Sequence, residues 1–335
     1  MRHAKALIDD PCKIYDCSNS KSRPQHRGGG GPIQNDIMRY LHENAEDYYF
    51  KFVDAPKEAE VIITNDVFPK NVVDLHKPLV KRMCSPFFQR ELSSRNRKLN
   101  DAAKLADEVI FITEYSKSHY ISRYGNNLSS YLVVTHWVDP KDYYVDPTVK
   151  KNDKFTLGVC ATDWSRPEKR LQDLIEFAKV FPDVQIVLIG NTDQELPDNF
   201  VKTGYLLDPS SINYMLNNCD GFINLSYRDA ATKTIPQAIN CGLPVLYANS
   251  GGVSEMAKEY GTPITDNQSL KIEDSVPSLD IYEMIKFFAK FRKDFDLTKT
   301  NLESFNAKLE FRKMLDGYFS AISNTMNSLE RCLIT

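Results

Sequence analysis

The sequence predicts an α/β protein with two domains, each a parallel sheet covered by helices, facing one another across a cleft. The chain has 335 residues, which suits two α/β domains of about 150 residues each. Short apolar runs alternate with longer amphipathic stretches in both halves, as parallel sheets with helical crossovers require. A polar, proline-bearing stretch at residues 139–154 separates the halves and reads as a linker.

The first half, residues 1–150, contains six apolar runs of strand length with amphipathic stretches between them. The predicted strands are Cys12–Cys17, Tyr49–Val53, Val61–Thr64, Leu79–Met83, Val109–Thr113 and Leu132–Thr135. The predicted helices are Ile33–His42, Glu91–Ala106 and Ser116–Tyr124. This alternation predicts one parallel sheet with helices on both faces.

The same pattern restarts after the linker. The predicted strands are Phe155–Cys160, Val184–Gly190, Gly221–Leu225 and Pro244–Ala248, and the predicted helices are Arg170–Phe181 and Ser210–Asn218. The second of these strands is nearly all apolar, which is typical of a buried parallel strand. From Tyr282 onward the pattern is mostly helical.

Composition excludes several classes of protein. The net charge of −3 argues against a general nucleic-acid binder. The seven cysteines are scattered, without the spacing of a disulfide framework or a zinc site, and we expect no metal. Residues 1–10 lack the apolar core of a signal peptide, and no run approaches the length of a membrane span. We therefore expect a cytoplasmic protein.

The segment Ser226–Glu255 is the most informative part of the chain. It follows a predicted strand, so it lies at the carboxyl end of a parallel sheet, where ligands bind in such folds. A short helix is predicted with Thr232 as its N-cap and Gly242 as its C′ residue. The helix N-terminus, together with the Lys233 ammonium and the Thr234 hydroxyl, favours a phosphate group.

This segment resembles the donor-binding motif of retaining glycosyltransferases of the GT-B fold, glycosyltransferase family 4 (glycosyl transferases group 1). The family pattern reads E-G-F-P-x-T-x-x-E-A-M-A-C-G-x-P-V, followed by a G-G-x-x-E loop. The matching positions are Lys233–Thr234, Ala238, Cys241–Gly242, Pro244–Val245 and Gly251–Glu255. The resemblance implies a nucleotide-sugar donor, UDP- or GDP-linked, that Gly251, Gly252 and Glu255 help to bind.

The resemblance also implies the organisation and chemistry of the whole chain. Residues 1–150 would form a Rossmann-like acceptor domain and residues 151–310 the donor domain, with a helix at residues 311–335 crossing back to the first. The implied reaction is sugar transfer, with retention, to an acceptor hydroxyl of a glycan, glycoconjugate or lipid-linked molecule. No metal is needed, and the leaving phosphate takes the acceptor proton.

The two acids of the family motif, eight positions apart, are Asp229 and Gln237 here. By resemblance the first contacts the donor sugar and the second grips the ribose. Asp229 keeps the charge, and Gln237 can still hydrogen-bond two hydroxyls, so we expect altered donor binding rather than its loss. The alternative is a decayed site in a sugar- or nucleotide-binding interaction protein.

Three basic residues, Arg166, Lys169 and Arg170, follow the first predicted strand of the second half. Cations at a helix N-terminus oppose the helix dipole, so their presence favours a bound anion. The segment resembles the family loop that ends in a basic residue before a helix. The resemblance places Lys169 and Arg166 in catalysis and Arg170 in binding of the diphosphate. The alternative is a solvated helix N-terminus.

The glycine-rich stretch Lys21–Pro32 follows the first predicted strand. It lacks the G-x-G-x-x-G spacing, which argues against a nucleotide-dependent dehydrogenase or epimerase. In GT-B enzymes a glycine-rich loop at this place approaches the donor phosphates and the acceptor, which assigns Gly29 and Gly30 to donor binding. The alternative is a flexible surface loop.

Two further features of the first half bear on ligand binding. The family's mid-domain histidine is absent, and Cys84 and Ser85 occupy its place, while His136 stands where the family has Asn in its N-G-V-D segment. A basic cluster comprises Lys81, Arg82, Arg90, Arg95, Arg97 and Lys98. It suits peripheral contact with an anionic membrane or a phosphorylated acceptor, or else a solvated helix face, which we favour.

Overall fold

The computed structural model describes residues 11–18, 30–87, 92–266 and 275–334. Within these ranges the chain forms two parallel six-stranded sheets with helices on their faces, which confirms the predicted fold class. No helix of the described part of the chain is both long enough and apolar enough to cross a bilayer.

The first sheet is built from residues 12–133. Its elements are β1 (Cys12–Asp16), α1 (Gly30–Asn44), β2 (Phe50–Phe52), β3 (Val61–Thr64), α2 (Lys70–Val73), β4 (Leu79–Met83), α3 (Ser93–Leu105), β5 (Glu108–Phe111), α4 (Glu114–Tyr124) and β6 (Tyr131–Val133). The strand order is β2-β1-β3-β4-β5-β6. β5 ends before the predicted Thr113, because Thr113 leaves the sheet to cap α4 in a reciprocal capping box with Ser116.

The second sheet has the strand order β12-β11-β10-β7-β8-β9. Its strands are β7 (Thr156–Asp163), β8 (Gln185–Asn191), β9 (Phe200–Gly204), β10 (Gly221–Asn224), β11 (Val245–Ala248) and β12 (Gly261–Ile264). The helices of this half are α5 (Leu171–Val180), α6 (Pro209–Asn217), α7 (Thr234–Asn240), α8 (Val253–Ala257), α9 (Ile281–Lys293), α10 (Phe295–Glu303) and α11 (Ala307–Ile334). The strands β9 and β12 lie at the two edges and were not predicted.

The long helix α11 packs against β3, β4 and β5 of the first sheet. Its approach is close at Gly317, where an added Cβ would lie 2.8 Å from Val134 Cγ2. A second tie between the halves is the hydrogen bond from Trp137 Nε1 to Asn240 Oδ1 at 3.0 Å. One apolar cluster therefore contains side chains from both sheets and from α11.

Candidate functional site

The carboxyl edges of the two sheets meet in one cleft, as predicted. Thr113, which follows β5, donates a hydrogen bond from its hydroxyl to the carbonyl of Ala230 at 2.8 Å. Lys233, just before α7, forms an ion pair with Asp36 of α1. At the carboxyl ends of β7 and β10 lies a small cavity, whose lining includes Cys160, Trp164, Lys169, Asn224 and Ser226.

Lys169 and Asp229 lie in the middle of the second sheet's carboxyl end. Lys169 ends a 3-10 turn after β7, and Asp229 lies in the loop after β10. The Lys169 Nζ atom lies 2.8 Å from Asp229 Oδ2 and 3.4 Å from Ser226 Oγ. Burial raises the pKa of the Asp229 carboxyl, but the charges of Lys169 and Arg166 outweigh burial and hold it below its ordinary value. The cleft therefore holds an ionised carboxylate beside a cation at neutral pH.

The other two basic residues of this loop have partners of their own. Arg166 pairs with Glu168. The Arg170 guanidinium is buried, with its Nη1 atom 2.6 Å from the Asp266 carboxylate and its Nε donating to the Pro277 carbonyl at 3.1 Å. Arg170 thus anchors the start of α5 to the segment after β12, and its assignment to donor binding stays a prediction.

The short helix α7 brings the predicted motif residues to the cleft. It begins at Thr234, and Lys233 rather than the predicted Thr232 is its N-cap, with no side-chain capping bond from the described residues. The Thr234 hydroxyl lies 3.3 Å from Asn224 Nδ2. Gln237 is buried, and its Nε2 atom has no hydrogen-bond partner in the described part of the chain. Gly242 follows the helix with φ of +70°, which confirms the predicted C′ residue.

The loop after β11 packs closely against the Asp229 loop. Gly251 has φ of +73°, and a Cβ there would lie 2.3 Å from the Asp229 carbonyl oxygen. The Gly252 amide donates to that same oxygen at 2.9 Å. Two glycines in sequence are thus required to bring α8 up to the cleft, and their part in donor binding stays a prediction. Glu255 lies in the first turn of α8.

The predicted basic cluster does not form one surface. Lys81 and Arg82 lie on β4 and are buried, because helices α3 and α11 cover both faces of this strand. The exposed part reduces to Arg97 and Lys98, with Arg95 half-buried in an ion pair with Asp66. Arg90 lies outside the described residues. Gly29 also lies outside them, and Gly30 is the first residue of α1.

Arg82 and His136 lie at the carboxyl end of the first sheet. Each has buried polar atoms with no hydrogen-bond partner within the described ranges. Arg82 is 1% exposed, and its Nε donates to the Tyr318 hydroxyl of α11 at 2.8 Å, but its Nη2 atom is unpaired among the described residues. The same holds for both ring nitrogens of His136. Burial and the positive charge of Arg82 lower the pKa of His136 to about 3, so its ring is neutral.

A second histidine, His119 of α4, lies beside Ser85, one of the two residues that occupy the place of the family's mid-domain histidine. Its Nδ1 atom lies 2.5 Å from Ser85 Oγ, and Nε2 is buried with no partner from the residues described. Burial, then the charges of Arg228 and Arg123, lowers its pKa to about 4. Sequence reasoning missed His119, since it comes from a helix 34 residues downstream of Ser85 and no spacing rule links them.

Among the residues that the structure describes, no group of three His, Cys, Asp or Glu side chains is placed to hold a metal ion. The cations of the cleft include Lys169, beside Asp229, and Lys233, beside Asp36. Such cations can stabilise a bound anion electrostatically.

Comparison with known proteins gives the fold a name. No protein-family model matches the chain. Part of the chain resembles a subunit of the phosphatidylinositol N-acetylglucosaminyltransferase of Homo sapiens, with 24% identity over 185 residues. That match covers 52% of this chain and 37% of the human protein, so the chain spans well under half of its relative's length.

Solved structures match over nearly the whole chain. Anabaena HepE in complex with UDP-glucose has a TM-score of 0.63 at 17% identity, covering 95% of this chain and all of that one. WaaG, a glycosyltransferase involved in lipopolysaccharide biosynthesis, has a TM-score of 0.62 at 14% identity and covers 91% of this chain and 98% of that one. The protein therefore has the GT-B fold of nucleotide-sugar glycosyltransferases.

Proposed function

We propose that this protein is a retaining glycosyltransferase that moves a sugar from a UDP- or GDP-linked donor to an acceptor hydroxyl. The observation that carries the proposal is the Lys169–Asp229 pair, 2.8 Å apart, at the carboxyl ends of β7 and β10 in a GT-B fold. The motif around Asp229 supports membership of glycosyltransferase family 4, and with it retention. The structure of HepE with UDP-glucose supports the class of donor.

The proposed chemistry follows from charge. Breaking the bond between sugar and diphosphate builds positive charge on the sugar and negative charge on the leaving group. The Asp229 carboxylate suits the first charge, and the Lys169 ammonium suits the second. Because the pair is already formed and partly shielded from water, its charges require little reorganisation during the reaction.

Neighbouring groups extend this assignment. The Lys233 ammonium and the Thr234 hydroxyl lie at the start of α7, where the diphosphate would meet them. The Gln237 Nε2 atom, buried and unpaired among the described residues, suits a ribose hydroxyl. The negative charge that the family places here is absent, so we expect weaker binding of the ribose than a glutamate would give.

The acceptor is proposed in outline. The human relative is named for transfer of N-acetylglucosamine to phosphatidylinositol, which favours a lipid-linked acceptor for this chain among the hydroxyl acceptors considered above. A lipid-linked acceptor would require peripheral contact with a membrane. Of the basic cluster, Arg97 and Lys98 are the exposed residues within the described ranges that can make it.

The test compares wild type with Asp229→Asn, which keeps the shape of the side chain and removes its charge. Donor binding is measured as the thermal shift with UDP-, GDP- and ADP-sugars, and turnover as hydrolysis or transfer of the donor that binds. We expect wild type to bind one donor class and turn it over, and Asp229→Asn to lose about 100-fold or more in kcat. NMR of the product then reports the anomeric configuration.

Two results would contradict the proposal. Absence of any shift at millimolar donor would exclude the nucleotide-sugar site, since a ligand at 100 times its Kd adds roughly 2.7 kcal/mol. Binding without turnover in wild type would indicate the sugar- or nucleotide-binding protein instead. Ser165→Ala, in the exposed part of the loop before the 3-10 turn, is the matched control and should behave as wild type.

A further inference from the structure

Glu255 of the second half makes its contacts with the first half. Its Oε2 atom accepts a hydrogen bond from the Glu114 amide at 2.7 Å, and its Oε1 atom accepts one from the Tyr115 amide at 2.8 Å. Both carboxylate oxygens are thus engaged by the first two amides of α4. The residue lies in α8, immediately after the Gly251–Gly252 loop.

These two amides are the ones that α4 cannot satisfy by itself. The first amides of any helix lack partners within the helix. In α4 the Thr113 hydroxyl accepts from the Ser116 amide, and the Lys117 amide donates to the Thr113 carbonyl. The Glu114 and Tyr115 amides remain, and Glu255 satisfies both across the cleft. A carboxylate at a helix N-terminus is also favoured by the helix dipole.

The surrounding backbone is shaped to this contact. A Cβ at Gly252 would lie 2.1 Å from the Ala230 carbonyl oxygen and 2.8 Å from Thr113 Cγ2, so no other residue fits there. The Thr113 hydroxyl donates to that same Ala230 carbonyl. The Gly252–Glu255 turn and the first turn of α4 therefore form one complementary interdomain junction.

We propose that Glu255 is an interdomain clamp, a positioning residue that closes the cleft by capping α4 from the opposite domain. The helix that it holds carries His119, whose buried Nε2 atom is unpaired among the described residues and whose ring feels the charge of Arg228 in the Asp229 loop. Capping of α4 thus fixes the position of the first sheet's carboxyl end relative to the Lys169–Asp229 pair. The proposal concerns closure of the cleft between the two domains. It rests on the proposed function only where turnover is measured.

The structure offers a backbone test that leaves Glu255 in place. Glu114→Pro removes the Glu114 side chain and the amide that donates to Oε2, and proline is well tolerated as the first residue of a helix. Thr113, which would precede it, has φ of −156° and ψ of 160°, the extended conformation that a residue before proline adopts. Glu114→Ala is the matched control, because it loses the same side chain and keeps the amide.

Closure is measured without any substrate. We expect Glu114→Pro to raise the radius of gyration by X-ray scattering and to speed hydrogen exchange of the Tyr115 amide, with Glu114→Ala like wild type. Glu255→Gln should do the same, and the double variant should be no more open than either single one. In turnover, both single variants should lose about tenfold in kcat with donor KM within about twofold.

Each alternative result overturns the clamp. If Glu114→Pro matches Glu114→Ala in scattering and exchange, the capping bonds do not hold the cleft closed. If Glu255→Gln abolishes the thermal shift with donor while Glu114→Pro preserves it, Glu255 is a donor ligand instead. If no donor binds wild type, the proposed function fails, and scattering and exchange still decide the clamp by themselves.

Discussion

The carboxyl ends of the two sheets, which meet in the cleft, differ in how their charged side chains are paired. They are called the two edges below. On the second sheet the charged side chains are paired, with Lys169 against Asp229 at its centre. On the first sheet buried polar atoms lack partners among the described residues, at Arg82 Nη2 and at both ring nitrogens of His136. Gln237 Nε2 on the second sheet's side also lacks a partner among the described residues, so the difference between the two sides lies in their charged groups.

This difference suggests different roles for the two edges in ligand binding. A buried polar atom without a partner costs about 1–3 kcal/mol, so it persists where water or a ligand supplies the missing bond. Under the proposed function, the Lys169–Asp229 pair is already formed where charge would develop in the donor. The unpartnered atoms of Arg82 and His136 would suit the side that selects an acceptor.

Removal of one arginine from each side of the cleft should give the largest difference in stability. Arg170→Met leaves the carboxylate of Asp266, 5% exposed in its side chain, without its guanidinium. Breaking a buried pair from one side costs about 3–5 kcal/mol. Arg82→Met removes a guanidinium that pairs with no carboxylate in the described ranges, so we expect a loss of about 1 kcal/mol, from the bond to Tyr318. Urea unfolding of both variants measures the contrast.

The exposed pair of Lys179 and Glu176 supplies the control for this contrast. Lys179→Met should change the free energy of unfolding by less than about 0.5 kcal/mol, since surface pairs contribute little. Equal losses in Arg170→Met and Arg82→Met would mean that Arg82 has a compensating charge after all, and the two edges would then not differ in kind.

The strands that the sequence predicted well are those buried on both faces. The bounds of β3 and β4 match the prediction residue for residue. In β3 the signal is a short apolar run, as a strand buried on both faces shows. The strands β9 and β12 of the second sheet were missed, although the edge strands β2 and β6 of the first sheet were predicted. Phe200–Gly204 has no buried residue, and Gly261–Ile264 contains a proline, so neither shows the pattern of a buried strand.

The site was predictable where its residues come from one contiguous segment. It was not predictable where residues distant in sequence come together in the fold. The motif around Asp229 predicted that residue, Lys233 and Gln237 as one group, and the structure places them on the loop after β10 and at the start of α7, while their roles stay predictions. The burial of Arg82 was not predictable, because a charged strand residue is ordinarily exposed and only the return of α11 covers it. Glu255 was assigned to the donor, and its capping of α4 depends on how the two domains meet, which local sequence does not encode.

The two buried histidines give the next largest expected effect, on stability in acid. The pKa of His119 is lowered by burial to about 4 from an ordinary 6.5. Between these values the unfolded chain binds a proton that the folded chain does not, so the free energy of unfolding rises with pH across this window. His119→Gln should reduce the difference in this free energy between pH 6.5 and 4 by up to about 3 kcal/mol.

The measurement is urea unfolding at a series of pH values, with the exposed His76→Asn as control. That variant removes a histidine whose side chain is on the surface, so it controls for the loss of one imidazole. His136→Gln should act in the same direction as His119→Gln, because burial and Arg82 lower its pKa as well. An unchanged slope in His119→Gln would show that its ring is protonated and paired in the folded protein.

The smallest expected effect separates backbone packing from charge at the second sheet's edge. Gly251 and Gly204 have nearly the same backbone φ, +73° and +76°. A Cβ at Gly251 would lie 2.3 Å from the Asp229 carbonyl oxygen, whereas a Cβ at Gly204 would meet nothing within 4 Å among the described residues. Alanine at either site incurs the left-handed strain of about 1–2 kcal/mol. Alanine at Gly251 should cost about 1–3 kcal/mol more, because backbone atoms must move.

Gly251→Ala should also lower kcat by displacing Asp229 from Lys169, and Gly204→Ala should leave kcat unchanged. Thermal unfolding and turnover of the two variants, measured side by side, test both statements. If Gly251→Ala proves no less stable than Gly204→Ala, the Asp229 loop yields easily. The two edges would then differ in the pairing of their charges and not in how rigidly the backbone holds them.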